Sequence, residues 1–358
     1  MLNKLLTAVH GLLITGLGRD RLEYFASNTM NAVTEKLDPF IWSYDCQAKV
    51  VAIEQETTDT KTFVLLPNQH FQQPKAGQHI EVSVQLDENG KDKDVSRCYT
   101  LSKIQQDTVS ITVKHQAQGK LSNWLHTQAK VGDTFKISSP RGRFVYGKQA
   151  KVMFICAGSG ITPGYAMLND LLAQHVVPDI AFYYRSRNPQ QTIFQHALAA
   201  TDKVNFSYSQ QDDRGVMLDQ LAAFKDIKQR HIYLCGPQSF KDQVLTFLKS
   251  IDYDFNMLEV EQFTMPENAS TQVRNFNEDV SVRLKSQNVS FVIKAQDCGQ
   301  SILEAAEAQG VQMEHGCRTG MCGTCRTNLV SGSVSGNHLG KTIYPCTAYA
   351  TSRELVLE

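Results

Sequence analysis

The chain has 358 residues, with 36 Lys+Arg against 36 Asp+Glu and 42% hydrophobic residues. That length predicts two or three domains, and the hydrophobic share supplies ordinary globular cores. The balanced charge leaves no electrostatic case for a nucleic-acid partner.

The first apolar stretch, Leu5 to Leu17, falls short of the ~20 residues that a membrane span needs. Only Lys4 precedes it and no small-x-small cleavage site follows, so a secretory signal is not indicated. Residues 1–44 are expected to be a helical extension without a transmembrane span. It either packs on the body of the protein or docks on a membrane or a membrane-bound partner.

Residues 45–147 predict a small β-barrel. Val50 to Ile53, Thr62 to Leu66, His79 to Val84 and Val109 to Val113 carry β-branched, partly alternating patterns. Pro74-Lys75-Ala76-Gly77 and Asn89-Gly90 are turn signals. One helix is expected from Lys120 to Lys130.

Residues 148–263 predict a doubly wound α/β domain. Val152 to Ala157 is a continuous apolar run, as in a strand buried on both faces. Ile180 to Tyr184 and His231 to Cys235 read as further strands, separated by helical stretches. After the first strand comes Gly158-Ser159-Gly160-Ile161-Thr162-Pro163. The two glycines let the backbone approach a pyrophosphate. Pro163 stands where a third glycine would be usual and suits a first helical turn.

The polar stretch 264–278 predicts a linker, and 279–358 a third domain. Val289 to Ile293 reads as a strand, and Ser301 to Gln309 as a helix capped by Ser301. After them lie Cys317, Cys322, Cys325 and Cys346, spaced C-x4-C-x2-C…C. That is the plant-type spacing for a [2Fe–2S] cluster. Gly316, Gly320 and Gly323 can take φ > 0 and bring backbone N–H groups to the sulfurs. A structural zinc site is the alternative, although zinc sites usually pair cysteines as two C-x2-C units. Cys298 is not expected to be a ligand. The remaining cysteines are scattered through strand-like runs, which suits reduced thiols in a cytoplasmic protein.

Arg97-Cys98-Tyr99-Thr100-Leu101-Ser102 resembles the flavin motif of the ferredoxin–NADP reductase superfamily. The resemblance implies a multidomain α+β and α/β chain with a β-grasp-like ferredoxin domain. It puts Arg97 on a flavin phosphate, Tyr99 against the isoalloxazine, and Thr100 near the flavin N5, with Ser102 closing the motif. Gly119-Lys120-Leu121-Ser122 resembles the second flavin element, a helix start suited to the diphosphate of FAD rather than to FMN. Ser122 could equally be a plain N-cap. Gly77-Gln78 and Pro140 to Phe144 resemble the family's barrel turns. Gly158, Gly160, Thr162 and Pro163, with Cys235-Gly236-Pro237, resemble its pyridine-nucleotide signature. Cys235 then lies near the nicotinamide, or is simply a buried strand cysteine. Glu261-Gln262-Phe263 resembles the terminal acidic–aromatic element, with Phe263 near the flavin face. Thr100, Cys235 and Glu261 are the catalytic candidates.

Arg185 and Arg187 follow the strand ending near Tyr184, and from there no Asp or Glu occurs before Asp202. Arginine suits a 2′-phosphate, which favours NADPH, with NADH left open. The order of motifs resembles the group with a C-terminal ferredoxin domain. Its members are reductases of Rieske oxygenases, of hybrid-cluster protein, and of membrane fatty-acyl desaturases or hydroxylases. Asp38 to Ser43 resembles the lead-in of the desaturase reductases, so a desaturase or hydroxylase is the expected partner. A monomer in the cytoplasm, peripheral at the inner face of the membrane, goes with that partner. Alternatively Phe40 and Trp42 only lid the barrel. A sensor or electron carrier without turnover is the reading of another class.

Overall fold

The computed structural model describes residues 40, 45–87, 92–174, 177–211, 214–263, 278–297, 299–315, 320 and 323–358. The expected helical extension over 1–44 lies outside the described residues, Phe40 apart, as do Trp42, the Asn89-Gly90 turn, nearly all of the expected linker, and Cys298.

Six strands form a closed barrel in the order β1-β2-β5-β4-β3-β6. They are β1 (Gln47–Thr57), β2 (Thr60–Pro67), β3 (His79–Asp87), β4 (Asp92–Ile104), β5 (Val109–Lys114) and β6 (Thr134–Ile137). Phe63, Leu65, Ile80, Val82, Ile111 and Val113 fill the interior. Closure leaves no unpaired edge. Helix α1 (Lys120–Thr127) buries Leu121 and Leu125 against this core. It stops short of the expected Lys130. Gln128 and Ala129 both donate to the Trp124 carbonyl, and the chain then turns through Gly132 at φ 101°.

Two barrel turns interlock. Gly77 has φ 95°, and a Cβ there would lie 2.0 Å from the Phe144 carbonyl oxygen. Gly142 has φ 106°, and its Cβ would meet His79 Nδ1 at 2.9 Å. Phe144 is thereby pushed out of the barrel into the core of the second domain, edge-on to Tyr233 at 5.5 Å.

The second domain is a parallel sheet in the order β11-β10-β7-β8-β9. Its strands are β7 (Lys151–Ala157), β8 (Asp179–Ser186), β9 (Val204–Tyr208), β10 (His231–Cys235) and β11 (Leu258–Glu261). Helices α2 (Ile161–Leu172), α3 (Gln195–Ala199), α4 (Arg214–Ala222) and α5 (Gln238–Ser250) connect them. Phe154, Phe182 and Tyr233 pack with α2, while Ile155, Tyr183 and Leu234 pack with α4 and α5 on the other face. β7 is covered on both sides, which explains its unbroken apolar run. The order of connections reverses between β7 and β10, so their carboxyl ends form the crevice where such sheets bind ligands.

The third domain is a mixed sheet, β13-β12-β17-β14-β16-β15, with one helix. It comprises β12 (Val280–Leu284), β13 (Val289–Ile293), helix α6 (Ile302–Ala308), β14 (Thr327–Ser331), β15 (Val334–Leu339), β16 (Thr342–Ala350) and β17 (Glu354–Leu357). Ser301 caps α6 as expected, in a reciprocal box with Glu304.

Candidate active site

A cavity of about 380 Å³ opens where the barrel meets the parallel sheet. Arg97, Tyr99 and Thr100 reach it from β4, and Gly119, Lys120, Leu121 and Ser122 from the start of α1. Thr162 joins from the nucleotide loop, and Glu261 and Phe263 from the end of β11. Segments far apart in the chain therefore share one wall system. His79, Cys98, Thr112, Lys114, Gln116 and Ser159 also line it, and none was singled out from the sequence. Thr112 and Lys114 alternate along β5 beside β4, but that neighbourhood is set by barrel register, which no local pattern reveals.

Thr100 is buried at the wall. Burial pushes the Tyr99 phenol up, so it stays neutral. Arg97 is exposed, with one N–H donated to the Ser96 carbonyl at 2.7 Å. The cap of α1 is Gly119, which has no side chain to bond the helix start. Ser122 sits inside the first turn and braces the loop instead, accepting from Gln116 N–H and donating to the Gly119 carbonyl at 3.1 Å. The first intrahelical bond runs from Asn123 N–H to Gly119. The opening N–H groups of the helix thus precede any intrahelical partner, an arrangement that suits a phosphate. Ser102 does not line the cavity. Its hydroxyl shares a 2.8 Å bond with Thr112, which in turn bonds Thr62 at 2.8 Å, and Thr62 donates to Glu56.

The nucleotide loop closes tightly on the end of β10. Gly158 has φ 54°. A Cβ on Gly160 would stand 2.6 Å from the carbonyl of Cys235 and the nitrogen of Gly236. Pro163 occupies the first turn of α2, and Thr162 donates to the Ser159 carbonyl at 3.1 Å. Pro237 caps α5. Cys235 is buried, and burial pushes its thiol up, so it is a neutral group. Lys241, one turn into α5, is 2% exposed. Burial pushes its ammonium down, against the opposing pull of Glu261. Arg185 donates to the Ser207 hydroxyl at the carboxyl end of β8, and Arg187 is exposed just beyond.

Cys325 and Cys346 are buried with their sulfurs 3.2 Å apart. Gly320 N–H points at Cys346 Sγ from 3.2 Å. Gly320 and Gly323 have φ of 69° and 66°. Converging buried thiols with backbone donors aimed at sulfur fit an iron–sulfur cluster. Cys317, Cys322 and Gly316 lie outside the described residues. A Cβ on Gly323 would stand 3.4 Å from Glu261 Oε1, so the cysteine loop abuts a residue of the cavity wall.

Residues 47–146 match the oxidoreductase FAD-binding domain family, 154–245 the oxidoreductase NAD-binding domain family, and 284–351 the 2Fe-2S iron-sulfur cluster binding domain family. The chain is 27% identical over 348 residues to the glycine betaine monooxygenase reductase subunit of Pseudomonas aeruginosa, covering 88% of this chain and 92% of that one. It is 28% identical to the carnitine monooxygenase reductase subunit of Acinetobacter baumannii, over 87% of this chain and 97% of that one. The solved phthalate dioxygenase reductase, described as a modular structure for electron transfer from pyridine nucleotides to [2Fe-2S], superposes with a TM-score of 0.57. It shares 27% identity, over 87% of this chain and 97% of that one.

Proposed function

The chain belongs to the ferredoxin–NADP reductase superfamily, in the group with a C-terminal plant-type [2Fe–2S] domain, and on that premise we propose that it is the reductase component of a Rieske-type oxygenase. It is an NAD(P)H-dependent oxidoreductase with FAD and a [2Fe–2S] cluster. When bound, the flavin accepts an electron pair as hydride and releases electrons singly, which matches a two-electron donor to a one-electron cluster.

The observation that carries this reading is the convergence at Glu261. It borders the cavity shared by Tyr99, Thr100 and Thr162, and its carboxylate lies close to the cysteine loop, 3.4 Å from where a Cβ on Gly323 would stand. Thr100 and Tyr99 would hold the flavin ring, and Arg97 with the opening of α1 would hold the diphosphate. Gly158 and Gly160 would let the nucleotide approach, and Cys235 would shape the nicotinamide end as a neutral thiol. Phe263 would help hold the flavin from the end of β11. Ser102 acts through Thr112. Cys317 and Cys322 complete the ligand set with Cys325 and Cys346. Arg185 and Arg187, at the end of β8, take the 2′-phosphate of NADPH; one relative, from Mycobacterium tuberculosis, is itself described as an NADPH oxidoreductase.

The oxygenase partner is supported by the glycine betaine and carnitine monooxygenase reductase subunits, which are similar along nearly their whole length. A membrane desaturase or hydroxylase is the second reading, favoured by the lead-in from Asp38 to Ser43. Among the described residues no helix is long and apolar enough to cross a membrane. Reconstitution under NADPH decides between them. Substrate turnover with a Rieske oxygenase supports the first. Turnover only with a membrane desaturase overturns it.

A further inference from the structure

The ferredoxin-type domain is held differently from the other two. The barrel sends Phe144 into the core of the parallel-sheet domain. The core of the third domain draws only on its own residues, from Val280 to Leu357. Beside its contact with the parallel-sheet domain runs a cleft of about 910 Å³, bordered by Leu258, Glu259, Arg326 and Tyr344. Among the described residues, two ion pairs tie the third domain to the rest. Arg326, directly after Cys325, pairs with Glu259 of β11, the two side chains 20% and 27% exposed. Arg143, in the turn that closes the barrel, pairs with Glu314 at 2.5 Å, the side chains 55% and 69% exposed. The first lies just past the cysteine loop and the second just before it. Between them Gly323 lies beside Glu261, whose Oε1 would be 3.4 Å from a Cβ at that position.

We propose that Arg326–Glu259 and Arg143–Glu314 form a clamp that seats the cysteine loop on the flavin cavity and sets the distance for flavin-to-cluster electron transfer. The proposal rests on the flavin-to-cluster route above. Arg326 and Glu259 are positioning residues, since neither lines the flavin cavity. Electron transfer falls exponentially with distance, so a small loss of seating matters. The half-buried Arg326 pair dominates, because exposed pairs are worth little. A polar, poorly sealed boundary between domains also permits release, as delivery to a bulky partner requires.

The test uses the holoprotein and compares wild type with Arg326→Gln, Glu259→Gln, Arg143→Gln and the exchanged pair Arg326→Glu/Glu259→Arg. Flavin and iron content are checked first. Ferricyanide, which takes electrons at the flavin, should be reduced by NADPH at unchanged rates. Single-turnover reduction of the cluster should slow roughly tenfold in Arg326→Gln and Glu259→Gln, the equivalent of about 1.4 kcal/mol of seating. Arg143→Gln should slow it less, and the exchanged pair should recover most of the rate. Rising salt should slow the wild type more than Arg326→Gln, which keeps only the Arg143 pair. Small-angle scattering should show a larger radius of gyration for Arg326→Gln at low salt. Unchanged cluster reduction and scattering in Arg326→Gln and Glu259→Gln would overturn the clamp. A wild type whose cluster NADPH does not reduce would instead overturn the route on which it rests.

Discussion

Thr100 is the residue whose loss should be felt most cleanly. It is buried and lines the cavity. Thr100→Ala should keep FAD bound but lower the NADPH–ferricyanide rate roughly 10²-fold, the usual cost of one positioned hydrogen-bond donor. Thr100→Ser should recover most of it. A full rate in the alanine variant would remove Thr100 from the mechanism. Arg187→Ala should raise KM for NADPH about tenfold and leave NADH little changed, since a charge-assisted contact to the 2′-phosphate is worth about 1.5–3 kcal/mol at most. A selective loss with NADH would reverse the nucleotide assignment. Much of this site was legible because its demands are local. Gly158, Gly160 and Pro163 are imposed by a tight turn and a helix start, and Ser301 by a helix cap, so each leaves a mark within a few positions. Thr112, Lys241 and Glu259 left none. Their roles follow from strand register and domain docking, which bring them beside residues distant in the chain.

At the level of elements, the parallel sheet is tied together at its amino-terminal end by Arg230. The Arg230 side chain is 9% exposed and pairs with Asp226 at 2.8 Å and Asp179 at 3.0 Å. It also donates to the carbonyl oxygens of Val152 and Asp179. The hydrogen bond from Arg230 holds the Asp226 carboxyl below the usual carboxylate range. Because the folded value lies below the unfolded one, the stabilisation is fully present above about pH 4 and is lost as pH falls through the folded value. Asp226→Asn should therefore cost about 1 kcal/mol at pH 7. The gap between variant and wild type should close in denaturant titrations as the pH falls below the ordinary carboxylate range and through the folded value. A gap that persisted into strong acid would mean that the carboxylate charge is not what stabilises the fold. The same domain shows why some strands were not foreseen. β7 and β8 are central and read as long apolar runs, whereas β9 and β11 lie at the edges with short, half-polar sequences. β6 has only four residues, too few for a period to register.

Across the whole molecule, the expected three-domain order and all three folds are present, and FAD, a nicotinamide nucleotide and a [2Fe–2S] cluster go with them. The partner was less legible, because docking surfaces carry no fixed spacing. If a soluble oxygenase is the acceptor, a protein of residues 45–358 should reduce it as fast as the full chain does. A defect confined to a membrane-bound acceptor would restore the desaturase reading. The most direct test of the central route is anaerobic addition of NADPH to the pure protein, followed by visible absorbance and electron paramagnetic resonance. Wild type should lose its flavin absorbance and gain the signal of a reduced [2Fe–2S] cluster. Cys346→Ala should keep NADPH-driven ferricyanide reduction and lose that signal together with cytochrome c reduction. Bleaching of the flavin in wild type without an iron–sulfur signal, or a normal signal in Cys346→Ala, would contradict the account.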